Sequence, residues 1–208
     1  MQIQYFGLSS FKISSPKITI ITDPFGKASG LMPPRGSADI LILAEKDNPL
    51  YSATSGVSGK PFLISDPGEY DIKGVTVSGL PLLQDDHYVA AYLIELEDVK
   101  ILNLSHIKQF SMKENELEEL GEIDVLLLPV GGKSVLDGAS AAKVVNAVEP
   151  KIVIPSHYQT GGLGVGADRV EAFIKEMGGR SETLDKLTIK KKDLADENIK
   201  IIILDPLR

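Results

Sequence analysis

Short, uninterrupted apolar runs constrain this chain most. Residues 40–43 read Ile-Leu-Ile-Leu, and residues 125–130 read Val-Leu-Leu-Leu-Pro-Val. Neither is long enough for a helix, and neither shows the alternation of a strand with one wet face. Both read as strands covered on two sides, which demands a layer of structure above and another below. The first run turns polar almost at once, into Glu45-Lys46-Asp47-Asn48-Pro49. In layered α/β proteins the loop leaving a strand end is where chemistry is usually placed.

The order of the remaining elements narrows the architecture. Up to about residue 105 the chain reads as strand after strand, broken at Asp23-Pro24-Phe25-Gly26, Pro67-Gly68, Lys73-Gly74 and Glu97-Asp98. Helices enter only later. Ser111 with Glu114 is a capping-box pattern for one that Gly121 closes; Asp137 caps a second that Pro150 ends; a third runs from Asp168 to Gly178-Gly179. Strands with helices on one side and another sheet on the other predict a layered sandwich. With no repeat and no linker, one domain over residues 1–208 is expected.

Composition removes several function classes. A formal charge of −7 argues against a nucleic-acid or anionic-membrane surface. The absence of cysteine removes disulfides, thiolate metal sites and a cysteine nucleophile. The stretch MQIQYFGLSS lacks a basic segment followed by a long apolar one, and no apolar run reaches membrane-spanning length. The expectation is a cytoplasmic protein with a small-molecule or protein partner and an oligomeric state that the sequence leaves open.

Three strand ends carry groups able to bind metal or move protons. His106 follows Lys-Ile-Leu-Asn-Leu-Ser, His157 follows Lys-Ile-Val-Ile-Pro-Ser, and Glu45 and Asp47 follow Ala-Asp-Ile-Leu-Ile-Leu-Ala. Together these would deliver four ligands to one rim of a sheet. The same residues are equally the ordinary polar content of loops, because no pair has a diagnostic spacing such as HxH or HExxH. His87 reads as a strand-edge residue beside Asp85-Asp86.

The blocks ITDPFG, ADILILAEKDNPLY, DPGEY, LLPVGG and EPKIVIPSHY occur in an order that resembles the metallo-β-lactamase fold. More narrowly, they resemble the branch of L-ascorbate-6-phosphate lactonase-like hydrolases. The resemblance, from residue 1 to about residue 205, implies an α/β, four-layer αββα sandwich. It also implies a one- or two-metal site in which a bound hydroxide attacks an ester, lactone, amide or phosphodiester, since a divalent metal lowers the pKa of water to about 7.

Carried over position by position, most of the implied ligands are replaced. Where the family has His-x-His-x-Asp-His, this chain has Glu45, Asp47, Pro49 and Leu50. Leu8 stands in the family's Gly-His-Ser, Gln84 replaces a histidine before Asp85-Asp86, and His106 stands where a bridging Asp belongs. His157 alone is kept, with Tyr158 after it. Leu8, Leu50, Gln84 and Tyr158 are therefore candidates to line the former cleft. Two functions remain open. One is a protein without the usual hydrolase activity, in a binding or relic role, with a degenerate site and no metal. The other is a metal-dependent hydrolase of a lactone, ester or phosphodiester, with one Zn, Mn or Fe ion held by Glu45, Asp47, His106 and His157.

Overall fold

The computed structural model describes residues 1–194 and 198–207. Its first part contains β1 (Gln2–Gly7), β2 (Ser10–Ser14), β3 (Thr19–Thr22), β4 (Gly36–Ser37), β5 (Ile40–Ile42), β6 (Val57–Ser58) and β7 (Phe62–Ile64). Then follow β8 (Gly68–Ile72), β9 (Val75–Gln84), β10 (His87–Leu96), β11 (Val99–Asn103), α1 (Glu114–Leu120) and β12 (Val125–Pro129). The chain continues through α2 (Gly138–Val148), β13 (Ile152–Ser156), α3 (Val170–Glu176), β14 (Glu182–Leu184), β15 (Leu187–Thr188) and β16 (Lys200–Leu204).

Two mixed sheets result. One has the order β15-β1-β2-β3-β5-β7 and the other β14-β16-β13-β12-β11-β10-β9-β8, with β4 and β6 as a separate pair. The expected turns at Lys73-Gly74 and Glu97-Asp98 join antiparallel neighbours. By contrast, β3 and β5 run parallel, as do β11, β12 and β13. Parallel neighbours end at the same rim, so residues that follow them in sequence become neighbours in space.

The apolar runs are buried on both sides, as their composition requires. Ile20, Ile40 and Ile42 join the main core, which continues across to Val77, Ile94, Leu127 and Ile154 of the other sheet. The alternate residues Ile21 and Leu41 enter a second cluster with Phe6, Leu8, Phe25, Leu43 and Tyr51. Each such side chain contributes about 1.5–3 kcal/mol when fully buried. This is the α/β sandwich expected from the sequence. All three α-helices connect strands of the larger sheet, while the outer face of the smaller one is covered by loops and 3₁₀ turns at Lys27–Ser29 and Thr54–Gly56.

Local chemistry sets the helix ends. Asp137 caps α2 by accepting from the Ser140 amide at 2.7 Å. α1 starts later than the Ser111 pattern predicts. Its cap is Lys113, whose amide donates to Glu116 at 2.7 Å, so Glu116 fills the role expected of Glu114. No helix among the described residues is long and apolar enough to cross a membrane.

Candidate functional site

The ends of β3, β5, β11 and β13 meet at one rim, and each strand hands over a polar residue there. Asp23 follows β3, Glu45 lies three residues past β5, Ser105 and His106 leave β11, and His157 follows β13 directly. The chain must turn sharply at these points. Leu8, Asp23, Ser105 and His157 all adopt left-handed backbone, with φ of 50°, 40°, 52° and 52°. For a residue with a Cβ that conformation costs about 1–2 kcal/mol, and surrounding contacts must hold it. The His157 amide does so by donating to the Leu8 carbonyl at 2.7 Å and to Tyr5 Oη at 3.0 Å. Gly131 is needed beside it, because a Cβ there would lie 1.8 Å from the His157 carbonyl oxygen.

A continuous polar line runs from the interior to the surface. Asp23 is fully buried; it accepts from the Ala44 amide at 2.8 Å and from Ser105 Oγ at 2.7 Å. Ser105 Oγ is 2.8 Å from His106 Nδ1, and His106 Nε2 is 3.1 Å from Glu45 Oε2. A single serine proton cannot serve both neighbours. Ser105 Oγ donates to Asp23, and its oxygen faces His106 Nδ1. The His106 hydrogen bond, with help from Asn48, pulls the Glu45 carboxyl down to about 2, while burial raises that of Asp23.

The loop at residues 45–51 is tightly folded rather than open. Asn48 Nδ2 donates to Glu45 Oε2 at 2.8 Å, Asn48 Oδ1 accepts from the Leu50 amide at 3.1 Å, and the Tyr51 amide donates to the Asn48 carbonyl at 3.1 Å. This turn swings Tyr51 inward. Its ring stacks on His106 with centroids 3.8 Å apart and planes 13° apart, and its hydroxyl oxygen is 2.7 Å from His157 Nε2. Burial raises the Tyr51 pKa, so the phenol stays protonated at neutral pH. Burial also lowers His157 from 6.5 to about 4, which keeps its ring neutral, and His157 Nδ1 has no hydrogen-bond partner.

The four sequence-predicted ligands thus divide. Glu45 and His106 touch directly, and His157 joins them only through Tyr51. Asp47 is exposed and takes no part in the hydrogen bonds of the Asn48 turn. His87, read as a strand-edge residue, lies with Nε2 3.8 Å from Glu45 Oε1. Among the cleft candidates, Leu8 and Leu50 pack in the cluster that contains Tyr51. Gln84 is buried with its carbonyl accepting from the amides of Lys108 and Gln109 at 2.8 and 3.0 Å. Tyr158 is buried against Tyr5 and borders a groove of about 1350 Å³ with Phe6, Met32 and Arg169.

Sequence reasoning missed Asp23, Ser105 and Tyr51. The rule that found His157, a polar residue directly after a buried strand, applies equally to Asp23. Tyr51 carried no such signal, since its place depends on how the Asn48 turn closes.

The donor set as placed does not fit a divalent metal. His157 Nε2 is engaged by Tyr51, both nitrogens of His106 are hydrogen-bonded, and Asp47 is exposed, outside this network. Among the described residues no group of three or more His, Asp or Glu is arranged to hold a metal ion. Ser105 is no open nucleophile either: at 1% exposure it is sealed beneath His106.

With this fold and site in view, the comparisons are consistent. Residues 2–157 match the family model described as the Beta-lactamase superfamily domain, and the chain belongs to that superfamily. It is 27% identical over 216 residues to a UPF0173 metal-dependent hydrolase of Thermococcus onnurineus, covering 88% of this chain and 95% of that one. A relative named as a UPF0173 metal-dependent hydrolase in Pyrococcus furiosus is 39% identical over 93 residues, 45% of this chain and 40% of the relative. A crystal structure from Thermotoga maritima, of a candidate Zn-dependent hydrolase of the metallo-β-lactamase superfamily, superposes with a TM-score of 0.82 at 28% identity. It covers 98% of this chain and 99% of that one.

Proposed function

We propose that this chain is a non-hydrolytic member of the superfamily, a binding protein on a scaffold whose relatives are named metal-dependent hydrolases. One observation carries the reading. The Tyr51 phenol lies between His106 and His157, stacked on the first and hydrogen-bonded to Nε2 of the second. Its hydroxyl stands at a distance from His157 Nε2 that leaves no room for an ion between them. The resemblance to the lactonase-like branch and the replacement of His-x-His-x-Asp-His by Glu45, Asp47, Pro49 and Leu50 point the same way.

The competing reading is a hydrolase with one metal on Glu45, Asp47, His106 and His157. The names of the relatives support it. It requires Tyr51 to release His157 and Asp47 to turn inward.

Elemental analysis decides between them. Protein purified without chelator, then incubated with zinc, manganese and iron salts and desalted, is expected to hold far less than one equivalent of each. Tyr51→Ala, which bares both histidines, is expected to hold more zinc than the wild type. Stoichiometric metal in the wild type, or metal-dependent turnover of a lactone, phosphodiester or aryl ester, would overturn the proposal.

A further inference from the structure

A cavity of about 450 Å³ is lined by Phe25, Lys27, Arg35, Ala53, Ser55 and Gly56, and includes neither Tyr51 nor His157. The chain carries 29 acidic residues against 22 lysines and arginines, yet no carboxylate lines this cavity. Its charged groups are the two cations alone. Elsewhere on the surface Lys46, Lys73 and Lys108 each sit 2.7–3.1 Å from an aspartate. Lys27 and Arg35 make no ion pair or side-chain hydrogen bond among the described residues.

Their positions are fixed by the backbone. The segment with Ser55 is tied to the one with Lys27 through the Ala53 amide, which donates to the Pro24 carbonyl at 2.7 Å. It is tied to the Arg35 segment by the pairing of Gly36 with Val57. Gly56 lets these segments close up, since a Cβ there would fall 2.2 Å from the Pro34 carbonyl oxygen. Three separate stretches of chain are thus locked together around one opening, which reduces the ordering cost of binding.

We propose that this cavity binds a small anionic metabolite through a phosphate or carboxylate group held by Arg35 and Lys27. The planar guanidinium offers paired donors that match either oxyanion, and the lysine adds a second positive charge. Walls of low polarizability concentrate the field of two unpaired cations at the mouth. The volume suits a small metabolite, since ligand pockets commonly run from about 300 to 1,000 Å³. The proposal stands whether or not His157 ever holds a metal, because the two places share no side chain. They are linked along the chain all the same: Phe25 lies two residues past Asp23, and Ala53 two past Tyr51.

The test is an amide chemical-shift titration of the intact protein with inorganic phosphate and, separately, with acetate, at constant ionic strength. The expected result is saturable shifts confined to Gly26, Lys27, Arg35, Ser55 and Gly56 and their neighbours, stronger with whichever oxyanion the site prefers. Lys27→Ala and Arg35→Ala are each expected to weaken binding about tenfold, as removal of a charge-assisted hydrogen bond does. Arg35→Lys should lose less than Arg35→Ala. Both side chains are exposed, so an unchanged spectrum away from the cavity confirms folding in each variant. No saturation with either ion, saturation unaltered in both alanine variants, or shifts centred on the glycine-rich loop at residues 161–166 would each overturn the assignment.

Discussion

Tyr51 Oη stands 2.7 Å from His157 Nε2, while the ring of the same tyrosine lies 3.8 Å from that of His106. One side chain from a turn between strands of the smaller sheet thereby joins two histidines from strands of the larger one. The contact joins the two sheets at the rim where β3, β5, β11 and β13 end.

Removing the hydroxyl should therefore be felt as stability. Tyr51→Phe leaves His157 Nε2 buried without a partner, beside an Nδ1 that already has none. The expected cost is about 1–3 kcal/mol. Tyr51→Ala also empties a packed position and is expected to cost about 3–5 kcal/mol. Urea unfolding with an unchanged slope measures both. A Tyr51→Phe protein as stable as the wild type would show that the hydrogen bond holds nothing.

Acid should destabilise the chelator-treated protein through His157. Burial lowers His157 from 6.5 to about 4 in the folded chain. Between those values the unfolded state binds the extra proton and the folded state does not, so stability falls as the pH drops. A shift of this size corresponds to about 3 kcal/mol across the window. Glu45 acts later: its contribution is present above 4.5 and is lost as pH falls toward about 2, reduced by solvent screening because the side chain is partly exposed. His157→Gln should flatten the pH dependence of the urea midpoint in the upper window; an equally steep dependence would assign it to another group.

The Glu45–His106 contact can be read directly. Carbon-detected titration of the Glu45 carboxyl is expected to show a midpoint near 2 in the wild type. In His106→Ala the midpoint should move back toward 4.5, because the His106 hydrogen bond is the largest cause of the shift. A carboxyl that titrates identically in both proteins would mean that the contact does not persist in solution.

A stabilising change is available far from the site. Glu97 and Asp98 form the tight turn between β10 and β11, with φ of 53° and 62°. Glu97 accepts from the N-terminal ammonium at 2.8 Å and should be kept. Asp98→Gly removes the Cβ penalty of left-handed backbone and suits a hairpin turn that needs positive φ twice. A gain of about 0.5–1 kcal/mol is expected from the relief of that strain, seen as a higher thermal midpoint. A lower midpoint would show that the entropy of the added glycine outweighs it.

Much of the fold was legible in the sequence because it rests on local patterns. Ile40, Leu41 and Ile42 are apolar on both sides of the strand, and the structure buries them in two different clusters. Asp137 offered a capping side chain at the right position and the helix begins there. Lys113 shows the limit: the helix is capped two residues after Ser111, with Glu116 rather than Glu114 accepting from the cap amide.

The site divides along the same line. That polar groups would leave the ends of buried strands was written in the order of residues, and Glu45, His106 and His157 do meet at one rim. The sequence alone could not decide what stands between them. Asp47 and Tyr51 lie four residues apart in one polar loop, and neither has a spacing that says which turns inward. The Asn48 turn decides it, through hydrogen bonds to Glu45, Leu50 and Tyr51 that exist only once β5 is fixed in its sheet. Burial then sets the chemistry: the same imidazole that would titrate near 6.5 in solution is held neutral to about 4 beneath Tyr51. Residue order supplied the groups, and the closure of two sheets over one tyrosine decided which of them touch.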